Sequence, residues 1–163
     1  MLLLITLITI SCANGIVLSS QKIFPILHFP NWMGNSLFFI IIPGVSLLQL
    51  AILYLILTHL IKASQSFQIA LIGLNTFFGF QLLRYTTVLL LVDRYSIDTM
   101  RILWNVLDAI SWIAFFLAIS YAYSKIIGIG LKKSAVKMSL AVITFITISL
   151  LCLFTASVFG VFN

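Results

Sequence analysis

Residues 67–92 read FQIALIGLNTFFGFQLLRYTTVLLLV, residues 93–101 read DRYSIDTMR, and residues 102–124 read ILWNVLDAISWIAFFLAISYAYS. Two long apolar runs thus flank one short charged link. A hydrocarbon core about 30 Å thick is crossed by roughly 20 helical residues at 1.5 Å each. Both runs are long enough. In lipid every backbone N–H and C=O has to be satisfied within its own segment, so each run is expected to be a helix. Their Ile, Val, Phe and Thr content would favour strands in water. The link is too short for anything but an antiparallel hairpin.

Working outward, three further runs have the same character: residues 1–18, 37–61 and 138–162. The expected fold is an all-α polytopic bundle of five transmembrane helices, approximately 1–18, 37–61, 67–92, 102–124 and 138–162, forming a single domain over 1–163. Composition agrees. Of 163 residues 63% are apolar and 7% charged, with a mean hydropathy of +1.25. A soluble domain carries about 25% charged residues, so a water-soluble monomer is excluded. If the first run is instead a cleaved signal peptide, with Ser11-Cys12-Ala13 as its small-residue site, four helices remain. The lack of Lys or Arg before the run argues for retention.

The segment 19–36 holds Pro25, Pro30, Trp32, Phe24 and Phe29. It is read as an interfacial loop lying on the headgroups, the level Trp prefers. Pro43, early in the second helix, marks a start or a kink. The link 63–66 is a tight turn, and 126–137, with Gly128 and Gly130, joins the last two helices.

Nine Lys and Arg stand against three acids, all Asp. Lys62, Lys125, Lys132, Lys133 and Lys137 fall on one side of the membrane, here side one. Lys22, Arg94 and Arg101 fall on side two with Asp93 and Asp98. Basic residues concentrate in cytoplasmic loops, which places side one and the N-terminus inside and the C-terminus outside. The membrane is a bacterial cytoplasmic one or an organellar inner one. Lys132, Lys133 and Lys137 are candidates for anionic-lipid headgroups. No basic stretch with interleaved aromatics forms a nucleic-acid face.

Two charges lie at membrane depth, Arg84 and Asp108. Ionisable groups there are costly and point to a function or a named partner. Folding the hairpin about Ile97 sets position 84 opposite 110, so Asp108 and Arg84 reach one layer within a turn. Gln81, Arg84, Tyr85 and Val88 share a face of helix three; Arg101, Trp104, Asn105, Asp108 and Trp112 share one of helix four. The expected site is a polar layer of Arg84, Asp108, Gln81, Asn105, Tyr85 and Trp104, open toward side two and closed toward side one by Phe115 and Phe116. A neutralising pair that sets helix register is the plainer role.

Other features carry less. Cys12 and Cys152 are read as apolar fillers. His28 and His59 lie on opposite sides of the membrane, so one chain cannot clamp a haem between two histidines, and no cofactor is expected beyond bound lipid. No phosphate-binding loop, nucleophile elbow, zinc-ligand spacing or carboxylate pair at matched depth occurs. Asp93-Arg94-Tyr95 coincides with the triplet after the third helix of rhodopsin-like receptors, but five helices do not make a seven-helix receptor. The expectation is a non-catalytic integral subunit of a larger membrane complex, whose partners are lipids and other membrane subunits. The alternative is a small carrier, channel or ligand sensor using the polar layer. A lipid- or quinone-handling enzyme comes third.

Overall fold

The computed structural model describes residues 1–20 and 38–158, with side chains through Leu151 apart from Phe39. Five helices and no strand occur among the described residues. They are α1 (Leu2–Leu18), α2 (Phe38–Leu55, continued by a π-helical turn Ile56–Leu60), α3 (Ser66–Leu91), α4 (Ile97–Ile127) and α5 (Leu131–Val158). Four spans within α2 to α5 are long and apolar enough to cross a membrane, and the 17-residue α1 is just short of the others. The chain is a multi-pass membrane bundle. The expected interfacial loop lies largely outside the described residues, as do His28 and the side chain of Cys152.

Helix α3 is the hub: α1, α2 and α4 all pack on it, while α5 packs on α4 and on the end of α2. Half of α3's apolar window is buried, against 17% of α4's and 22% of α5's. A central helix and peripheral helices are thereby distinguished. The main core unites Leu53 and Leu57 of α2, Ile69, Leu74 and Phe77 of α3, Phe115 and Ile119 of α4, and Met138, Ala141 and Phe145 of α5.

α1 belongs to this body. Its buried stripe runs Leu7, Ser11, Asn14, Leu18, the spacing of one helical face. Polar groups on and around that stripe tie it down. Ser11 Oγ donates to Ser46 Oγ of α2 at 2.7 Å, and Asn14 Nδ2 donates to the Phe78 carbonyl of α3 at 3.0 Å. Asn75 of α3 returns a bond to the Leu3 carbonyl at 2.9 Å. Without a hydrophobic drive between helices in lipid, such bonds and close packing supply the association.

Two boundaries differ from the hydropathy reading. α4 begins at Ile97 rather than 102, because Ser96 caps it: its Oγ accepts from the Thr99 N–H at 3.3 Å, and Asp98 sits in the first turn. α5 begins at Leu131 rather than 138, so Lys132, Lys133 and Lys137 are helical, not loop residues. Hydropathy marks the stretch within the bilayer; caps and glycine set where the helix ends. Gly128, at φ +72°, terminates α4 in the left-handed conformation that glycine adopts freely. Pro43 lies inside α2, six residues in, and does not break it.

The α2–α3 turn is tight, as its length requires, and closes through two left-handed residues. Lys62 and Gln65 both take left-handed backbone, at φ 53° and 58°. The Ile61 N–H reaches the Ile56 carbonyl and the Ala63 N–H reaches that of Leu57. These bonds, spanning five and six residues, cap carbonyls of the π-helical turn.

Candidate functional site

α3 and α4 pack closely at Gly73. A Cβ there would stand 2.2 Å from Ile119 Cγ2 and 3.0 Å from Phe115 Cε2. A side chain larger than hydrogen at position 73 would force α3 and α4 apart here. Further along, Phe77 meets Trp112 with ring centroids 4.7 Å apart, Tyr85 stacks on Trp104 at 5.2 Å, and Val88 packs with Met100. Arg84 and Asp108 fall between these contacts and form an ion pair through Nη1 and Oδ1. The pair is centred on Ser96, one residue from the expected centre. Arg84 lies seven residues before the end of α3, roughly 10 Å inward along the axis.

Several neighbours hold the pair. Gln81 Nε2 donates to Asp108 Oδ1 at 3.0 Å. Arg84 Nη2 donates to the Tyr85 hydroxyl at 3.2 Å. The guanidinium carbon lies 4.1 Å from the Trp104 ring centroid and 4.8 Å from that of Tyr85. A cation on an aromatic face gains from the ring quadrupole, most where water is absent. Val17, Leu18, Phe38 and Ile42 pack around the Tyr85–Trp104 stack. On the other side Phe77, Trp112, Phe115 and Phe145 form a contiguous aromatic floor.

Of the six expected site residues the structure brings five together: Arg84, Asp108, Gln81, Tyr85 and Trp104. Asn105 is not among them. It is exposed, and its carboxamide makes no hydrogen bond to another described residue. Phe115 is part of the expected closure. Trp112 and Phe77 make up more of it than Phe116, because α4's rotation turns Trp112 onto α3. Phe77 and Phe145 read as ordinary apolar residues in sequence; only their partners across the bundle mark them as the floor.

The burial of the pair is uneven. The Arg84 side chain is 7% exposed and that of Asp108 is 37%. Two polar atoms of the layer, Arg84 Nε and Gln81 Oε1, are buried with no partner among the described residues. The layer thus neutralises a charge internally, yet leaves one carboxylate edge turned outward. Arg101, also expected along this stripe, pairs with Asp98 one turn away at 3.6 Å. His59 is exposed in the π-helical turn, at the other end of the bundle. Among the described residues no three His, Cys, Asp or Glu side chains converge as a metal site would require.

Compared with protein-family models, with curated proteins and with solved structures, the chain matches none. Its class is that of a multi-pass helical membrane bundle.

Proposed function

We propose that this chain is a non-catalytic integral subunit of a larger membrane complex. One observation carries the reading: Asn105 is exposed and the Asp108 side chain is 37% exposed, although both lie within the apolar run 102–124. Lipid tails offer neither a donor nor an acceptor, so polar groups there are costly. A neighbouring transmembrane helix with a hydrogen-bonding side chain at that depth satisfies them, and such bonds act as glue between helices. The Arg84–Asp108 pair then serves as an internal lock that sets the α3–α4 register and presents this edge.

The test is purification of the tagged chain in mild detergent, with mass determination of whatever comes with it. Stoichiometric foreign membrane partners are expected. Asn105→Leu is expected to release them without unfolding the chain. A clean monomer or homo-oligomer overturns the reading.

A second reading, a ligand-sensing module, draws on the buried, unpartnered Arg84 Nε and Gln81 Oε1. It requires a stable isolated chain whose response to a small polar ligand is lost in Asp108→Asn. Under either reading, we place side one and the N-terminus inside, on five Lys against three basic residues. A phosphatase reporter fused to the C-terminus is then active outside the cell, and an inactive one reverses the orientation.

A further inference from the structure

The side-one end of the bundle holds an electrostatic imbalance that the polar layer does not use. Lys132, Lys133 and Lys137 occupy the first two turns of α5, and Lys125 ends α4. All three acids of the chain lie elsewhere: Asp93 and Asp98 by the α3–α4 turn, and Asp108 against Arg84. No acid stands in the first turn of α5, where the helix dipole is itself positive. Dipole and side chains therefore add, and this end of the molecule lacks any internal counter-charge.

Apolar grooves flank these lysines on both sides of α5. One, of about 440 Å³, runs between α4 and α5, lined by Phe116, Leu117, Tyr121, Leu131 and Ala135, with Lys132 at its rim. Another, of about 340 Å³, lies between α5 and the end of α2, lined by Leu60, Ile61, Val136 and Leu140, with Lys137 at its rim. A third, open depression of about 490 Å³, lined by Lys132, Lys133, Val136 and Lys137, shares Lys132 with the first groove and Val136 and Lys137 with the second. Lys125 stays near the first groove, its Nζ 5.5 Å from the Tyr121 ring centroid.

We propose that this end of the bundle is a binding site for one anionic phospholipid straddling α5. Its phosphate lies on Lys132, Lys133 and Lys137, and one acyl chain descends in each groove. Lysines alone would attract any anionic surface diffusely. The two grooves with a lysine at each rim match the shape of a single two-chain amphiphile. A soluble phosphate would leave both grooves unused.

The experiment uses the full chain, reconstituted in nanodiscs of equal phosphatidylglycerol and phosphatidylcholine with identical acyl chains. Native mass spectrometry then reads which lipid is retained. The expected result is a single phosphatidylglycerol adduct, strongly preferred. Lys132→Gln, Lys133→Gln and Lys137→Gln together are expected to weaken that preference on the order of a hundredfold, at roughly a factor of five per lysine. All three lysines are exposed, so the fold is kept, and unchanged helicity checks this. Ala135→Trp, which fills the α4–α5 groove with the lysines intact, is expected to reduce retention of both lipids. Equal retention of the two lipids by the unmodified chain overturns the proposal. So does a triple variant that keeps the preference, or an Ala135→Trp variant that retains lipid fully. Displacement of the adduct by millimolar glycerol phosphate also overturns it, since that marks a free-phosphate site.

Discussion

Replacing Arg84 and Asp108 singly and together tests whether they act as one unit. Removing one partner of a buried ion pair costs about 3–5 kcal/mol, because an uncompensated charge is left behind. Here the two ends are unequal, with Arg84 7% and Asp108 37% exposed. Asp108→Leu strands the better-buried charge between Tyr85 and Trp104, whose rings and hydroxyl compensate only in part. Discounted for the exposure of the lost carboxylate, the expected cost is about 2–3 kcal/mol. Arg84→Leu strands the more exposed charge, which keeps its bond from Gln81, and about 1–2 kcal/mol is expected. The double variant removes both charges and leaves an apolar contact in lipid, so its total cost is expected at about 0–1 kcal/mol. The coupling between the two sites is then at least about 2 kcal/mol. The assay is reversible unfolding in mixed micelles with rising denaturing detergent. It is followed by far-UV circular dichroism as well as tryptophan fluorescence, since Trp104 itself lies over Arg84. Simple additivity of the two single costs, with coupling under about 0.5 kcal/mol, would refute the pair as a lock.

Gly73→Ala is expected to destabilise by about 1–3 kcal/mol through overpacking against Ile119 and Phe115. Gly79→Ala, with nothing within 4 Å of its Cβ position, is the control in the same assay and is expected to gain up to about 1 kcal/mol from helix propensity. Asn14→Leu removes the bond to the Phe78 carbonyl. It is expected to cost roughly 0.6–1.5 kcal/mol, read as an earlier midpoint in thermal size-exclusion, and an unchanged midpoint would show that α1 is held by apolar packing alone. At the strained turn, Gln65→Gly is expected to be neutral or stabilising by up to about 1 kcal/mol and Gln65→Val destabilising by about 1–2 kcal/mol. Equal midpoints for these two would mean that the turn relaxes without cost.

Sequence reasoning placed the helix ends less well than the helices. Residues 97–101 carry two charges and lie outside the apolar run, yet they form the first turn of α4 because Ser96 caps it. Lys132, Lys133 and Lys137 break the apolar pattern but are good helix formers, so α5 begins at Leu131, right after the Gly128–Gly130 break. The left-handed residues Lys62 and Gln65 gave no signal, since neither is glycine or asparagine.

By itself, the sequence determined that the chain crosses a membrane as antiparallel helices, and that Arg84 and Asp108 share a depth. Both follow from local, additive quantities: the length of an apolar run and a rise of 1.5 Å per residue counted back from a short turn. The tertiary structure alone decided which way each polar side chain turns. Asn105 and Asp108 lie only about 60° apart around α4, so they read as one stripe. Close approach at Gly73 sets α4's rotation against α3, and that rotation sends Asp108 to Arg84 and Gln81 while leaving Asn105 outside. The same holds for the aromatic floor and the grooves beside α5. Rotation about a helix axis is fixed by what packs across the interface, and depth counted along one helix carries no record of it.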